Sequence, residues 1–263
     1  MKFSAQDKKL VKSMVAKFAD AQERNARFRA VGFATLFRLL SKEEKDLAQR
    51  LLALDPKEYG FRGPFYGIER PSVERGSTEA SRPNVRPSNL VRVPKSMLRG
   101  EEVHFLPRHV FEAFKKMRLA LNKATGEELF VDSGYRSPAY QLVVLLRTLV
   151  DDHFQLHKTA QWVAFPGWSE HGAPKQQAID FIVPSVPENT ARDPIFEKTP
   201  AYQWLSAHAH TYGFYLSYPR GNKWGVAFEP WHWHFSGNKE KGIRNKGKKL
   251  QSEKESVKLL TEG

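Results

Sequence analysis

The sequence contains no cysteine. That absence removes disulfides, thiolate metal sites and cysteine nucleophiles from consideration together. No run of ~18 or more apolar residues occurs, so no transmembrane helix is expected. The opening Met1-Lys2-Phe3-Ser4-Ala5-Gln6-Asp7-Lys8-Lys9 is not followed by an apolar stretch of ~7–15 residues, and no signal peptide is expected. Acidic residues are the scarcer charge: 29 Asp and Glu stand against 42 Lys and Arg, a formal net charge of +13. That excess points to an anionic partner. Nucleic acid, anionic lipid and an anionic wall polymer such as peptidoglycan all qualify on charge.

Apolar material is ample. Hydrophobic residues make up 40% of the 263, including 18 Phe and 6 Trp, enough for one large domain or a domain with an accessory piece. Residues 1–55 read as a helical segment. Leu10, Val11, Met14, Val15 and Phe18 share one helix face. A second helix runs through Phe28, Val31, Leu36 and Phe37, and Ser41-Lys42-Glu43-Glu44 is a capping-box pattern that opens a third. The segment is expected to be a helical cap packed on the main domain rather than a nucleic-acid or membrane module. Residues 56–98 alternate Pro64, Pro71, Pro83, Pro87 and Pro94 with Gly, Ser and Arg, which reads as a linker or surface-wrapping loop.

Residues 99–237 form the regular core. Val110, Phe111, Phe114, Met117 and Leu121 give a helical stripe, and Leu129-Phe130-Val131 a short strand. Pro138 opens a long helix, and residues 177–183 alternate as a strand. Pro200 to Tyr212 is a helix ended by Gly213. Strands are predicted at Phe214–Leu216 and Val226–Phe228, the last carrying the chain on through His234. His153, His157, His208 and His210 lack suitable partners and are not expected to be ligands. Residues 238–263, rich in Lys, Gly, Glu and Ser, read as a basic mobile tail.

The chemistry concentrates in Phe228-Glu229-Pro230-Trp231-His232-Trp233-His234-Phe235, where a carboxylate and two imidazoles stand among aromatics. Buried polar groups are costly there unless paired or bound. Ser169-Glu170-His171 with Ala178-Ile179-Asp180, and Ser133-Gly134-Tyr135-Arg136-Ser137 with Gln141, supply the rest. Two His and one Asp suit Zn²⁺ and leave a position for water, whose pKa zinc would lower toward ~7. His171, Asp180 and His232 are the candidate ligands, one zinc per chain, with Glu229 as general base. Arg136 is the candidate oxyanion stabiliser or carboxylate clamp. Tyr135, Ser137, Gln141, Ser169, Trp231 and His234 are candidate substrate contacts, and His234 is also a possible alternative ligand. On a straight strand Glu229 and His232 would face opposite sides. A bulge or strand end at Pro230 is therefore expected.

At these residues the chain resembles the VanY-type D-Ala-D-Ala carboxypeptidases, zinc peptidases that trim peptidoglycan stem peptides. The resembling motifs are Ser133 to Ser137 with Gln141, then Ser169, His171, Ala178 and Asp180, then Tyr212-Gly213-Phe214, Tyr218-Pro219 and Glu229 to His232. They recur in order over roughly residues 100–237. The resemblance implies an α+β fold shared with hedgehog-type domains, a central antiparallel sheet flanked by helices, here with an added N-terminal helical segment. It implies zinc on His171, Asp180 and His232, Glu229 as base, Arg136 as transition-state stabiliser, and hydrolysis beside a D-amino acid. The step from His171 to Asp180 is two residues longer than is usual in that family, with Gln176 where a Gly would stand, and Ser217 replaces an Arg often found before Tyr-Pro.

The expected function is thus a zinc D-alanyl-D-alanine carboxypeptidase acting on stem peptides, with an anionic wall polymer as partner and no nucleic acid. An L,D-carboxypeptidase or endolysin-type endopeptidase is the alternative within hydrolases. A non-catalytic basic module binding cell wall or nucleic acid is the alternative of another class. The reaction places the protein in the cell envelope; the lack of a visible leader leaves the cytoplasm as the other site.

Overall fold

The computed structural model describes residues 1–67, 89–173, 175–187 and 192–237. Most of the Pro- and Arg-rich stretch, 68–88, and the basic tail, 238–263, lie outside the described residues.

The N-terminal segment is helical. Helix α1 (Ala5–Arg24) starts at Ser4, whose hydroxyl accepts from the Asp7 amide while the Asp7 carboxylate accepts from the Ser4 amide. After a 3-10 turn come α2 (Phe33–Arg38) and α3 (Lys42–Leu52), the latter opening on the capping box of Ser41 and Glu44. Glu44 is only 2% exposed. It is tolerated because Lys17 donates to it at 2.6 Å and Ser13 at 2.7 Å, which also ties α1 to α3.

Strands β1 (Leu90–Arg92) and β2 (Phe105–Pro107) form an antiparallel ribbon, and α4 (Arg108–Thr125) follows directly. The remaining elements are β3 (Phe130–Ser133), α5 (Pro138–Asp151), α6 (Leu156–Ala160), β4 (Gln177–Ile182), α7 (Pro200–His208), β5 (Phe214–Leu216) and β6 (His232–Phe235). The main sheet is antiparallel throughout, in the order β3-β4-β6-β5. This is the α+β architecture that the sequence predicts, with helices added at the N-terminus.

Strand alternation decides what each face holds. From β4 and β6, Ile179, Phe181 and Trp233 join a core with Val110, Phe114, Met117 and Leu121 of α4 and Leu205 of α7. The intervening residues, Asp180 and His232, face away from that core and line a cavity with α5 residues. A second core joins Val11, Met14 and Phe18 of α1, Leu36 of α2 and Leu47 and Leu51 of α3 to Leu142, Leu145, Leu146 and Leu149 of α5. The N-terminal helices are therefore a cap sharing a core with the main domain.

Two expectations change. Val226–Phe228 is not a strand: the Ala227 amide donates to the Gln161 carbonyl at 2.9 Å, so a loop rather than a sheet neighbour holds it. Part of the expected linker is packed. Pro56–Tyr59 is a 3-10 turn, and Tyr59 and Phe61 are 5% and 1% exposed. Their aromatic rings gain more from burial than the chain loses by ordering there.

Candidate metal centre and catalytic site

The register of the sheet builds the centre. Asp180 of β4 is the direct cross-strand partner of His232 on β6, and Ser133 of β3 pairs with Asp180 on its other side. His171 arrives from a 3-10 turn at Glu170–Gly172 that Ser169 caps, its hydroxyl accepting from the His171 amide at 3.3 Å. One ligand-type atom from each of His171, Asp180 and His232 lies within 4.8 Å of the others. Glu229 comes from a turn before β6: the His232 amide donates to the Glu229 carbonyl, and the strand begins only at His232. The expected strand end near Pro230 is there, and it brings Glu229 Oε2 to 3.7 Å from His232 Nδ1.

Each imidazole is oriented from behind. His171 Nδ1 donates to the Gly134 carbonyl at 2.8 Å, which fixes the tautomer. Among the described residues its Nε2 finds no hydrogen-bond partner, and it lies 3.2 Å from Asp180 Oδ2. His232 Nδ1 is 2.9 Å from Asp180 Oδ1, and its Nε2 is 3.0 Å from Glu170 Oε2. This is the carboxylate–histidine arrangement that tunes metal ligands. A tetrahedral zinc with bonds of about 2.0–2.1 Å would want donors roughly 3.3 Å apart. The 3.2 and 2.9 Å spacings run to the two different oxygens of Asp180, and with the three side chains within 4.8 Å of one another, the orphaned Nε2 and the N/O donor set, these residues suit that ion.

The electrostatics agree. Burial, then the Arg136 charge, pushes His171 down to about 4, leaving a neutral imidazole. Burial disfavours a charged His232, but hydrogen bonds to Asp180 and Glu170 prevail and raise it to about 10 in the chain alone. Asp180 stays well below the usual range despite burial, held there by His171 and His232. Burial pushes Glu229 up to about 8, against the lowering effect of His232.

Arg136 sits over the centre, its Nη2 3.4 Å from Asp180 Oδ2 and its Nη1 3.5 Å from Gln141 Oε1. A cavity of about 400 Å³ opens here, lined by Arg136, Gln141, Ser169, Glu229 and Trp231 with the three candidate ligands, and further out by Thr148, Asp151 and Trp162. Three of the predicted contacts do not line it. Tyr135 is fully buried beside Leu90 and Phe105. Ser137 caps α5 and donates to the Val31 carbonyl at 2.7 Å. His234 Nδ1 pairs with Ser217 Oγ at 2.8 Å, with its ring against Tyr215.

Sequence reasoning missed two supports. Glu170 received no role, although its place between Ser169 and His171 was a signal. His104 carried none: it accepts from the Gly134 amide at 3.3 Å and so helps hold Gly134, whose carbonyl orients His171. Burial and the charges of Arg29 and Arg136 push His104 down to about 3, which keeps it a neutral acceptor. Gly134 has no alternative residue, because a Cβ there would lie 2.5 Å from the Phe105 carbonyl oxygen.

Comparison with known proteins points one way. Residues 103–238 match the model of the family VanY, D-alanyl-D-alanine carboxypeptidase. The chain is 31% identical over 187 residues to the "Putative carboxypeptidase YodJ" of Bacillus subtilis (strain 168), covering 67% of this chain and 64% of that relative, so it spans less than two thirds of that relative's length. Among solved structures, the LdcB LD-carboxypeptidase is 28% identical with a TM-score of 0.50, covering 63% of this chain and 76% of that one. VanYB in complex with D-alanine-D-alanine is 20% identical with a TM-score of 0.47, covering 70% and 92%, a likeness too slight to carry residue roles.

Proposed function

The chain belongs to the VanY family of D-alanyl-D-alanine carboxypeptidases, and from that premise we propose that it is a zinc-dependent carboxypeptidase of peptidoglycan stem peptides, removing a terminal D-alanine. The observation that carries the reading is the convergence of His171 Nε2, Asp180 and His232 Nδ1, with Glu229 3.7 Å from the last of these. His171, Asp180 and His232 would hold the ion, which when bound supplies Lewis acidity and lowers the pKa of water. Glu229 takes the proton of the attacking water and returns it to the leaving amine, a role suited to a carboxyl whose pKa lies near working pH. Arg136 offers its fork to the substrate's terminal carboxylate or to the developing oxyanion. Glu170 keeps the His232 ring turned, and Ser169, Gln141 and Trp231 border the bound peptide.

The cavity supports a peptide rather than a free dipeptide. It runs along α5 from Gln141 to Asp151, ten residues or about 15 Å of helix at 1.5 Å each. An extended peptide covers that with about four residues. The net charge of +13 suits an anionic wall polymer, and the reaction belongs to the cell envelope.

A second reading, an L,D-carboxypeptidase, draws on the likeness to LdcB. One experiment separates the two. The purified protein is assayed for bound zinc, then incubated with muramyl tetrapeptide and pentapeptide, and the products are weighed by mass spectrometry. Zinc near one per chain with loss of one alanine from the pentapeptide is the expected result. Shortening of the tetrapeptide instead selects the L,D reading, and a chain that binds no zinc and cuts neither sinks both.

A further inference from the structure

The family match begins at residue 103, yet a segment well before it reaches the centre. Residues 56–67 lie against the turn that carries His171 and the loop before Glu229. The Arg62 amide donates to the Trp224 carbonyl at 2.7 Å, and the Tyr66 amide to the Gly167 carbonyl at 2.8 Å. Phe61 and Phe65 pack on Trp168, with ring centroids 6.2 and 5.2 Å away. Gly225, at φ +74°, admits the segment: a Cβ there would lie 1.9 Å from the Gly60 carbonyl oxygen. Phe61 lines the cavity itself.

From this segment Tyr66 donates its hydroxyl to Glu170 Oε1 at 3.1 Å. The other oxygen of the same carboxylate is 3.0 Å from His232 Nε2. The phenol therefore has a charged acceptor, and that carboxylate, which Ser217 and His234 also approach, meets a ligand-type imidazole at its other oxygen. A carboxylate gripped at one oxygen cannot swing away from the imidazole at the other. Burial and the Glu170 charge push the Tyr66 pKa up, so the phenol stays a neutral donor.

We propose that Tyr66, carried to the centre by this segment, is a positioning residue that sets the His232 ring for metal through Glu170. The inference rests on the zinc reading given above. It assigns a function to a segment that composition alone presents as linker. Ordering behind a histidine ligand is worth 10–100-fold in metal affinity, and Tyr66, one bond further out, is expected at the low end.

The test measures zinc affinity of the metal-stripped full chain by chelator competition, independently of turnover. Tyr66→Phe is expected to weaken zinc binding about tenfold and to lower kcat with KM little changed. In a Glu170→Gln background the same change is expected to have less than a twofold further effect on zinc affinity, because the path it acts through is already cut. Phe65→Ala, in the same segment but with its ring contact among the described residues being Trp168, is expected to leave zinc affinity unchanged. Three results overturn the proposal: zinc affinity of Tyr66→Phe within twofold of wild type, an equal loss in both backgrounds, or a matching loss in Phe65→Ala, which would mean mere loosening. A wild-type chain that binds no micromolar zinc would instead remove the zinc reading, and this inference with it.

Discussion

Replacing Glu229 by Gln separates catalysis from folding in one variant. The Glu229 side chain is buried, and burial lifts its pKa from an ordinary 4.5 to about 8. The folded chain therefore holds this proton more tightly than the unfolded chain does. Its contribution to stability is fully present below pH 4.5 and is lost as pH rises through 8. At pH 7 the loss spans 2.5 pH units, which at 1.36 kcal/mol per unit is on the order of 3 kcal/mol. Gln has the same shape and no charge to lose. The metal-stripped Glu229→Gln protein is thus expected to be more stable than wild type by up to about 3 kcal/mol at pH 7, roughly 6–12 °C in Tm for a chain of this size. The two proteins should converge near pH 4.5. Zinc content should be unchanged, because Glu229 is not among the three converging ligands, while kcat should fall by about 10²–10⁴ with the base removed. Calorimetry at pH 4.5 and 7 reads the first effect, and mass-spectrometric turnover of the pentapeptide reads the second. Wild-type turnover in the variant would refute the base assignment. A variant less stable than wild type at pH 7 would refute the reasoning from burial.

Two further outcomes follow from the same geometry. Gly134→Ala should cost about 1–3 kcal/mol, because a new Cβ 2.5 Å from the Phe105 carbonyl must push backbone aside; it should also weaken zinc binding by shifting the carbonyl that holds His171, and a variant as stable as wild type in thermal denaturation would contradict this. Zinc binding to the stripped protein at pH 7 should release between one and two protons, since His232 at about 10 and Glu229 at about 8 are both protonated in the chain alone. Titration calorimetry in buffers of different ionisation enthalpy counts them, and no release would mean that these groups do not face the ion.

The helices were legible because their signals are local. The Ser41 to Glu44 capping box and the spacing of Val110, Phe114, Met117 and Leu121 need no knowledge of the rest of the chain. The convergence of His171, Asp180 and His232 was legible from three motifs in order, and the strand end near Pro230 from the imino ring's missing donor. What stayed hidden was long-range. Ser137 and Tyr135 stand beside Arg136 in sequence, yet Ser137 turns back to Val31 and Tyr135 into a small core. His104 acts through a backbone amide thirty residues away, which no motif records. The packing of residues 56–67 was masked by their Pro and Gly, since the partners that order them, Trp168 and Glu170, lie about a hundred residues on.

The direct pairing of Asp180 with His232 has a consequence for how such a chain can vary. Residues that face each other across two strands cannot be moved independently, so a one-residue insertion or deletion within β4 or β6 would set Trp231 or Trp233 opposite Asp180 and turn one member of the pair toward the apolar core. A slip of two toward the C-terminus of β6 would instead present His234, another imidazole, but would carry it away from Ser217. The connections between the strands are under no such parity rule. A lineage can therefore lengthen the step between His171 and the start of β4, or rebuild the walls of the cavity for a new peptide, while the pair at its floor is inherited as one indivisible unit.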